Sequence, residues 1–370
     1  MQARYLLGMA LLAHTALTAA CGPAGSSAPA PAAPEPAPAA EAAPAAGSAE
    51  PPALAADRAV PLAPLPKKVV VSYSSVSSNF VAVWLAADAG LFAKHGLDAE
   101  ITFLASGTTS LQSLVGGDIQ FATTSGAEPT AAFVSGAPVQ ILMGWNPTLP
   151  SLFLVDPSIT RPEQLRGKTI GITRFGGLPH VAARLALSAW GLDPASDVSY
   201  LQLPGTPEIL AAMQQGIVAG GAYAPPTNLR AQRLGFRVLG DLNAMGIPYQ
   251  SGVLVATPAY VEANPEAARR VIRALSEAIK VSLTDDEAAR AAIAKYTRTD
   301  DDDLIAEALR SYRAGVQRIP YPSSEGLQTV LDFLAEDDPR VRAVRPQDVV
   351  NTALLEQVER EGFFRQLYGE

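Results

Sequence analysis

Arg174, Phe175, Gly176 and Gly177 follow Gly171-Ile172-Thr173 and precede a segment that reads as a helix. A guanidinium beside two glycines, where a strand hands over to a helix, suits an anion. Free amides and the positive helix end attract negative charge, and Arg grips a carboxylate, sulfonate or phosphate with two parallel donors. Three other turns carry hydroxyls and amides in comparable positions. Ser74, Ser75, Ser77, Ser78 and Asn79 follow one apolar run; Ser106, Gly107, Thr108 and Thr109 follow the next; Thr123, Thr124, Ser125 and Gly126 follow a third. Such side chains cap helices, and the same groups can donate to a solute at a helix N-terminus; the two roles are compatible. Trp145 and Asn146 end a fourth run and Tyr223 ends another, where an aromatic ring either stacks on a flat ligand or packs between two halves of a molecule. Tyr249 lies in an Ile-Pro-Tyr-Gln loop and carries less weight.

Catalytic constellations are harder to find. Outside the first 20 residues the histidines are His95, at a helix end before Gly96, and His180, at a helix start, and neither sits in a recognisable motif. The sequence has neither a Gly-x-Ser-x-Gly elbow nor a Gly-rich phosphate loop. Asp300 to Asp303 lacks the glycine and the distant Glu of a calcium loop and reads as a helix N-terminus. The single Cys, Cys21, rules out an intramolecular disulfide or a cysteine metal cage. No catalytic residue, cofactor or metal is expected, and the chain is read as not an enzyme. A net charge of -8 without a Lys/Arg-rich run gives no basic face for nucleic acid.

The elements that must position these turns begin late. Residues 1–20 read as an export signal: Arg4, an apolar stretch too short to stay as a membrane span, then small residues. LTAAC resembles a lipoprotein signal, with Thr18 departing from the usual aliphatic residue, so Cys21 is expected to carry lipid. Residues 21–66 are a Pro/Ala-rich tract without hydrophobic period, read as a disordered tether. From Lys67 short apolar runs alternate with helical segments, which implies crossovers and mostly parallel sheets. The pattern predicts one helix over Asn79–His95. After Thr257 the chain reads as helix-rich. Leu111–Leu142 and Leu210–Leu239 echo one another as helix, strand, helix, strand, which points to two α/β lobes on one plan.

Four stretches then carry a resemblance: VSYSS with NFVAVWLAADAGLFAKHGLDAEI, SGTTSLQSLVGGDIQFATTSG, LRGKTIGITRFGG and GLDPASDVSY. Together, over Val69 to about Ile279, they resemble the substrate-binding proteins of the nitrate/sulfonate/taurine and pyrimidine-precursor (SsuA/thiamine-precursor-like) ABC importers. The resemblance implies a periplasmic-binding-protein-like α/β fold: lobe one from residues 67–155 plus 253–370, lobe two from 156–252, two hinge crossings, and a cleft that closes on one small solute. It implies a protein that delivers its solute to an ABC permease; together with the N-terminal signal, the expectation is a monomer in the cell envelope, held to the membrane through lipid on Cys21. The family's Asp-Ala…Glu-Pro arrangement is altered here, with Gly220 and Pro225 in place of the acids, so an amine held by that Glu is not expected; Glu128 remains as one acidic group near the cleft. With Arg174 present, an organic anion has the edge. A eukaryotic branch that makes a pyrimidine carries a Cys-rich motif this chain lacks. A sensor of the same fold is the rival reading, set lower because no membrane helix follows the body.

Overall fold

The computed structural model describes residues 68–369. The export signal, Cys21, the tether and Lys67 lie outside the described residues.

Val69, Val70 and Val71 are β-branched and favour extended backbone, and β1 (Val69–Tyr73) forms from them. A 3-10 turn at Ser78–Phe80 leads into α1 (Val81–Asp88) and α2 (Leu91–Lys94). The single helix predicted over Asn79–His95 is thus broken. Gly90 sits at φ 65°, a conformation that costs glycine little, and the Ala89 and Gly90 amides donate back to the Leu85 and Ala87 carbonyls. The break turns Leu91 and Phe92 into the core. β2 (Ala99–Phe103), α3 (Gly107–Gly116), β3 (Phe121–Thr124), α4 (Ala127–Val134) and β4 (Gln140–Asn146) complete the first alternation. A second runs through β5 (Leu152–Val155), β6 (Lys168–Ile172), α5 (Leu178–Ala189), β7 (Val198–Gln202), α6 (Thr206–Gln214), β8 (Gly220–Tyr223), α7 (Thr227–Arg233) and β9 (Arg237–Asp241). After β10 (Gly252–Ala256) come only helices: α8 (Pro258–Ala263), α9 (Pro265–Thr284), α10 (Asp286–Thr297), α11 (Asp302–Gly315), α12 (Ser324–Asp337), α13 (Pro346–Val349), α14 (Ala353–Arg360) and α15 (Phe363–Tyr368).

Two five-stranded sheets result, ordered β2-β1-β3-β10-β4 and β7-β6-β8-β5-β9. In the first, β1 is parallel to β2 and β3, with Val69 opposite Ala99 and Tyr73 opposite Phe103, while β10 runs antiparallel to β3 and β4. In the second, β6 is parallel to β7 and β8, while β5 is antiparallel to β8 and β9. One reversed strand in each sheet makes both mixed, and each reversed strand borders a crossing between the sheets. The two stretches that echo in sequence, α3 to β4 and α6 to β9, fill matching positions in the two sheets. The first crossing lies between Asn146 and Leu152 and the second between Asp241 and Gly252. Leu152–Val155, placed by the sequence at the end of lobe one, runs in the second sheet, because the chain has already crossed before its apolar run begins.

Helices cover both faces of each sheet, which is why several strands read as unbroken apolar runs. Leu254 and Ala256 of β10 face Trp84, Val271, Ile272 and Leu275; their neighbours Val253 and Val255 face Leu111, Leu114 and Ile141. In the second sheet Phe153 and Val155 pack on Val181, Ala182 and Ala186 of α5, and Leu154 on Ile209 and Met213 of α6.

The C-terminal helices do not all stay with the first sheet. Val330 and Phe333 of α12 enter the core beneath α5. Arg184 of α5 lies over the Phe333 ring, 4.4 Å from its centroid, and donates to Asp337 at 2.7 Å and Glu336 at 3.1 Å. Since α12 also packs on α4, it straps the two halves together.

Candidate functional site

Because β1, β2 and β3 are parallel, the turns that follow them emerge at one edge of the first sheet. The turns after β6, β7 and β8 do the same in the second. The six turns face a shared cavity of about 640 Å³. This is the place where open α/β sheets bind ligands, and the volume is that of a small-molecule site.

The first half contributes Ser74, Ser75, Asn79, Ser106, Gly107, Ser125 and Glu128 to the lining. The second contributes Thr173, Leu178, Thr206, Glu208, Ala222 and Arg230, and the segment after α10 adds Lys295, Tyr296, Thr297 and Arg298. Tyr73, Phe103 and Tyr296 make an aromatic wall, with ring centroids 5.3 Å apart for Tyr73–Phe103 and 5.9 Å for Tyr73–Tyr296. Trp84, fully buried, stacks on Tyr296 at 5.0 Å and fixes that wall from behind.

Of the residues singled out from the sequence, Ser74, Ser75, Ser77, Asn79, Ser106, Gly107, Ser125 and Glu128 line the cavity. Ser106 also caps α3, its hydroxyl accepting from the Thr109 amide at 3.1 Å. Ser78 does not line it; its amide donates to the Pro225 carbonyl at 3.1 Å, linking the two halves. Thr108 and Thr124 lie off the lining, and the Thr124 hydroxyl donates to the Ser125 carbonyl at 2.8 Å. Trp145 and Asn146 are buried in a network around Asn79 rather than facing the cavity. The Trp145 indole donates to the Asn79 carbonyl at 3.0 Å, the Asn146 amide donates to Asn79 Oδ1 at 3.1 Å, and Asn79 Nδ2 donates to the Ser251 carbonyl at 2.7 Å. One asparagine thereby ties both crossings to the first cavity turn. Tyr223 is fully buried against α6, its hydroxyl 3.9 Å from Met213 Sδ.

The turn that promised an anion site is folded differently. Arg174 lies off the lining and donates to its neighbour's carbonyl, Thr173 O, at 2.8 Å; Phe175 is exposed, and Gly176 and Gly177 also lie off the lining. The Gly176 amide donates to His180 Nδ1 at 3.1 Å, closing the turn on its own helix. Burial, helped by the nearby Arg184 charge and opposed by Asp337, pushes the His180 pKa down to about 4. The other histidine, His95, bonds Glu277 at 2.9 Å on the α2–α9 surface.

Glu128 is a buried acid in the lining that bonds across the cleft. One carboxylate oxygen accepts from the Leu178 amide at 3.1 Å, across the cleft at the start of α5, and the other accepts from the Ser125 hydroxyl. Ser125 in turn lies 3.1 Å from the Tyr249 hydroxyl. Burial pushes the Glu128 pKa up to about 7, with the Ser125 and Leu178 hydrogen bonds working the other way. The turn at Gly107 is shaped around this carboxyl: a Cβ there would lie 2.5 Å from it.

Sequence reasoning did not select Thr173, Arg230, Lys295, Tyr296 or Arg298. One signal was available. α10 ends without a glycine, yet its C-cap residue, Arg298, adopts φ 51° and ψ 53°. It is the one non-glycine residue with positive φ among the described residues.

A family model described as NMT1/THI5 like matches residues 77–289. A protein of Brucella abortus, provisionally named a binding protein, is 24% identical over 227 residues, 60% of this chain and 70% of that one. Among solved structures, the alkanesulfonate-binding protein SsuA of Xanthomonas axonopodis pv. citri, bound to MOPS, superposes with a TM-score of 0.64 at 19% identity, covering 80% of this chain and 98% of that one. The nitrate-binding protein NrtA of Synechocystis PCC 6803 gives 0.64 at 16% identity, with 80% and 89% covered.

Proposed function

The chain belongs to the NMT1/THI5-like family and has the periplasmic-binding-protein fold, and from that premise we propose that it is the solute-binding subunit of an ABC importer. The observation that carries this reading is the cavity itself, lined from both sheets by turns at the strand tips, with only two crossings between the halves. A solute that touches both halves favours the closed arrangement over the open one, and the closed form docks on the permease. The lobes are taken to be the halves built on the two sheets. We further assign the solute a negative charge, supported by the guanidinium groups in the lining rather than by Arg174. Binding without catalysis fits the two histidines among the described residues: His180 is bonded within its own turn, and His95 is engaged with Glu277 on the α2–α9 surface.

A library of small solutes tested by thermal shift on the purified chain checks the reading. A specific solute at a hundred times its Kd should add about 2.7 kcal/mol of stability. Scattering should report a more compact particle with solute than without. A library that shifts nothing, or a bound solute that leaves the particle unchanged, would remove the capture mechanism.

We also propose that the mature protein begins at a lipid-bearing Cys21 and is exported to the cell envelope, supported by the sole cysteine standing where a lipobox ends. Expressed in a bacterium fed an alkyne fatty acid, the native chain should take up label and partition with membranes. Cys21→Ala should do neither; label on the alanine variant would refute the anchor.

A further inference from the structure

We infer that Arg230 and Arg298 hold one anionic group of the solute between them, at the rim of the cavity, while its apolar body lies on Tyr73, Phe103 and Tyr296. This rests on the solute-binding reading above and names the chemistry of its ligand: a small organic anion with a flat or aliphatic body.

The two guanidiniums come from different halves. Arg230 belongs to α7 beside the second sheet, and Arg298 follows α10, which packs on α1 beside the first. They are neighbours, because Arg230 Nη2 donates to the carbonyl of Thr297 at 3.1 Å. Nearby cations are neutralised: Arg233 pairs with Asp301, and Lys295 pairs with Asp88 at 2.7 Å. Among the described residues neither Arg230 nor Arg298 has a carboxylate partner. The two acids in the lining are Glu128, engaged with Ser125 and Leu178, and Glu208, in the first turn of α6, and neither forms an ion pair with these arginines. Two like charges brought together without a counter-ion repel, and an anion seated between them converts that repulsion into attraction drawing the halves together.

The backbone of Arg298 points the same way. A left-handed helix cap is served at least cost by glycine, and a side chain held there against that preference marks a functional position. Its charge also reaches the aromatic wall. Burial raises the Tyr73 pKa and the Arg298 charge works against that rise.

Binding of benzenesulfonate, benzoate, butanesulfonate and nitrate to the purified chain, each organic anion set against its uncharged amide or alcohol, tests the inference within a broader library of neutral and cationic solutes. Wild type should prefer an organic anion over its neutral counterpart. Arg230→Gln and Arg298→Gln should each weaken that anion about ten- to a hundredfold, the loss of a charge-assisted pair. Arg298→Gly should weaken it equally while melting no lower than wild type, since glycine relieves the backbone; a purely structural arginine would not give that combination. Anion affinity kept within twofold in both Gln variants overturns the clamp and leaves solute capture standing, as does a solute that binds only when neutral or cationic. A wild-type chain that binds nothing in the whole library overturns the solute-binding reading, and the clamp with it.

Discussion

Between pH 7 and 4.5 the wild-type protein is expected to hold a nearly constant stability, while Glu128→Gln should lose about 3 kcal/mol over that interval and His180→Gln should gain about as much. The opposite slopes follow from two buried groups displaced in opposite directions. Glu128 moves from an ordinary 4.5 to about 7, so its contribution is fully present below 4.5 and is lost as pH rises through 7. His180 moves from 6.5 to about 4, so its contribution is present above 6.5 and is lost as pH falls toward 4. Through the window they share, acidification strengthens one and weakens the other by similar amounts. Removing either titration uncovers its partner. Urea midpoints measured at intervals from pH 7 to 4.5 would show it, and three parallel profiles would dismiss the assigned environments.

Phe333→Ala should cost about 3–5 kcal/mol, the usual penalty for emptying a well-packed aromatic site. More is at stake than a cavity, since Phe333 anchors α12 under α5 and supports the Arg184 guanidinium. With the strap loosened, the two halves keep their own cores and lose part of what couples them. Unfolding followed by a probe in each half should therefore change from one shared transition to two. A loss under 1 kcal/mol with coincident transitions would mean that α12 merely lies against the second half.

How far these features could be read in advance depends on whether they are local. β1 and the C-terminal helices were legible because β-branched runs and amphipathic periods are properties of a few consecutive residues. Ser74, Ser106 and Ser125 could be grouped because parallel strands send their following turns to one edge, whatever packs around them. The helix break at Gly90 was missed because the apolar pattern continues straight through it. Arg174 shows how composition leaves direction open: its turn has the residues for an anion, and in this structure its guanidinium donates to the Thr173 carbonyl. Arg298 lies more than a hundred residues from the cavity turns of the first sheet, and only the docking of α10 on α1 brings it there. Trp145 and Asn146 stand at a strand tip as expected, but Asn79 recruits them into fastening the crossings.

The strand order has a consequence for how the chain assembles itself. The second sheet draws all its strands from one continuous stretch, Leu152 to Asp241, and can be finished as soon as that stretch is available. The first sheet cannot. Its slot between β3 and β4 is filled by Gly252–Ala256, so β1 to β4, although made first, wait with an unfilled gap until the later half has been synthesised. The part that leads in sequence is therefore the part that finishes last.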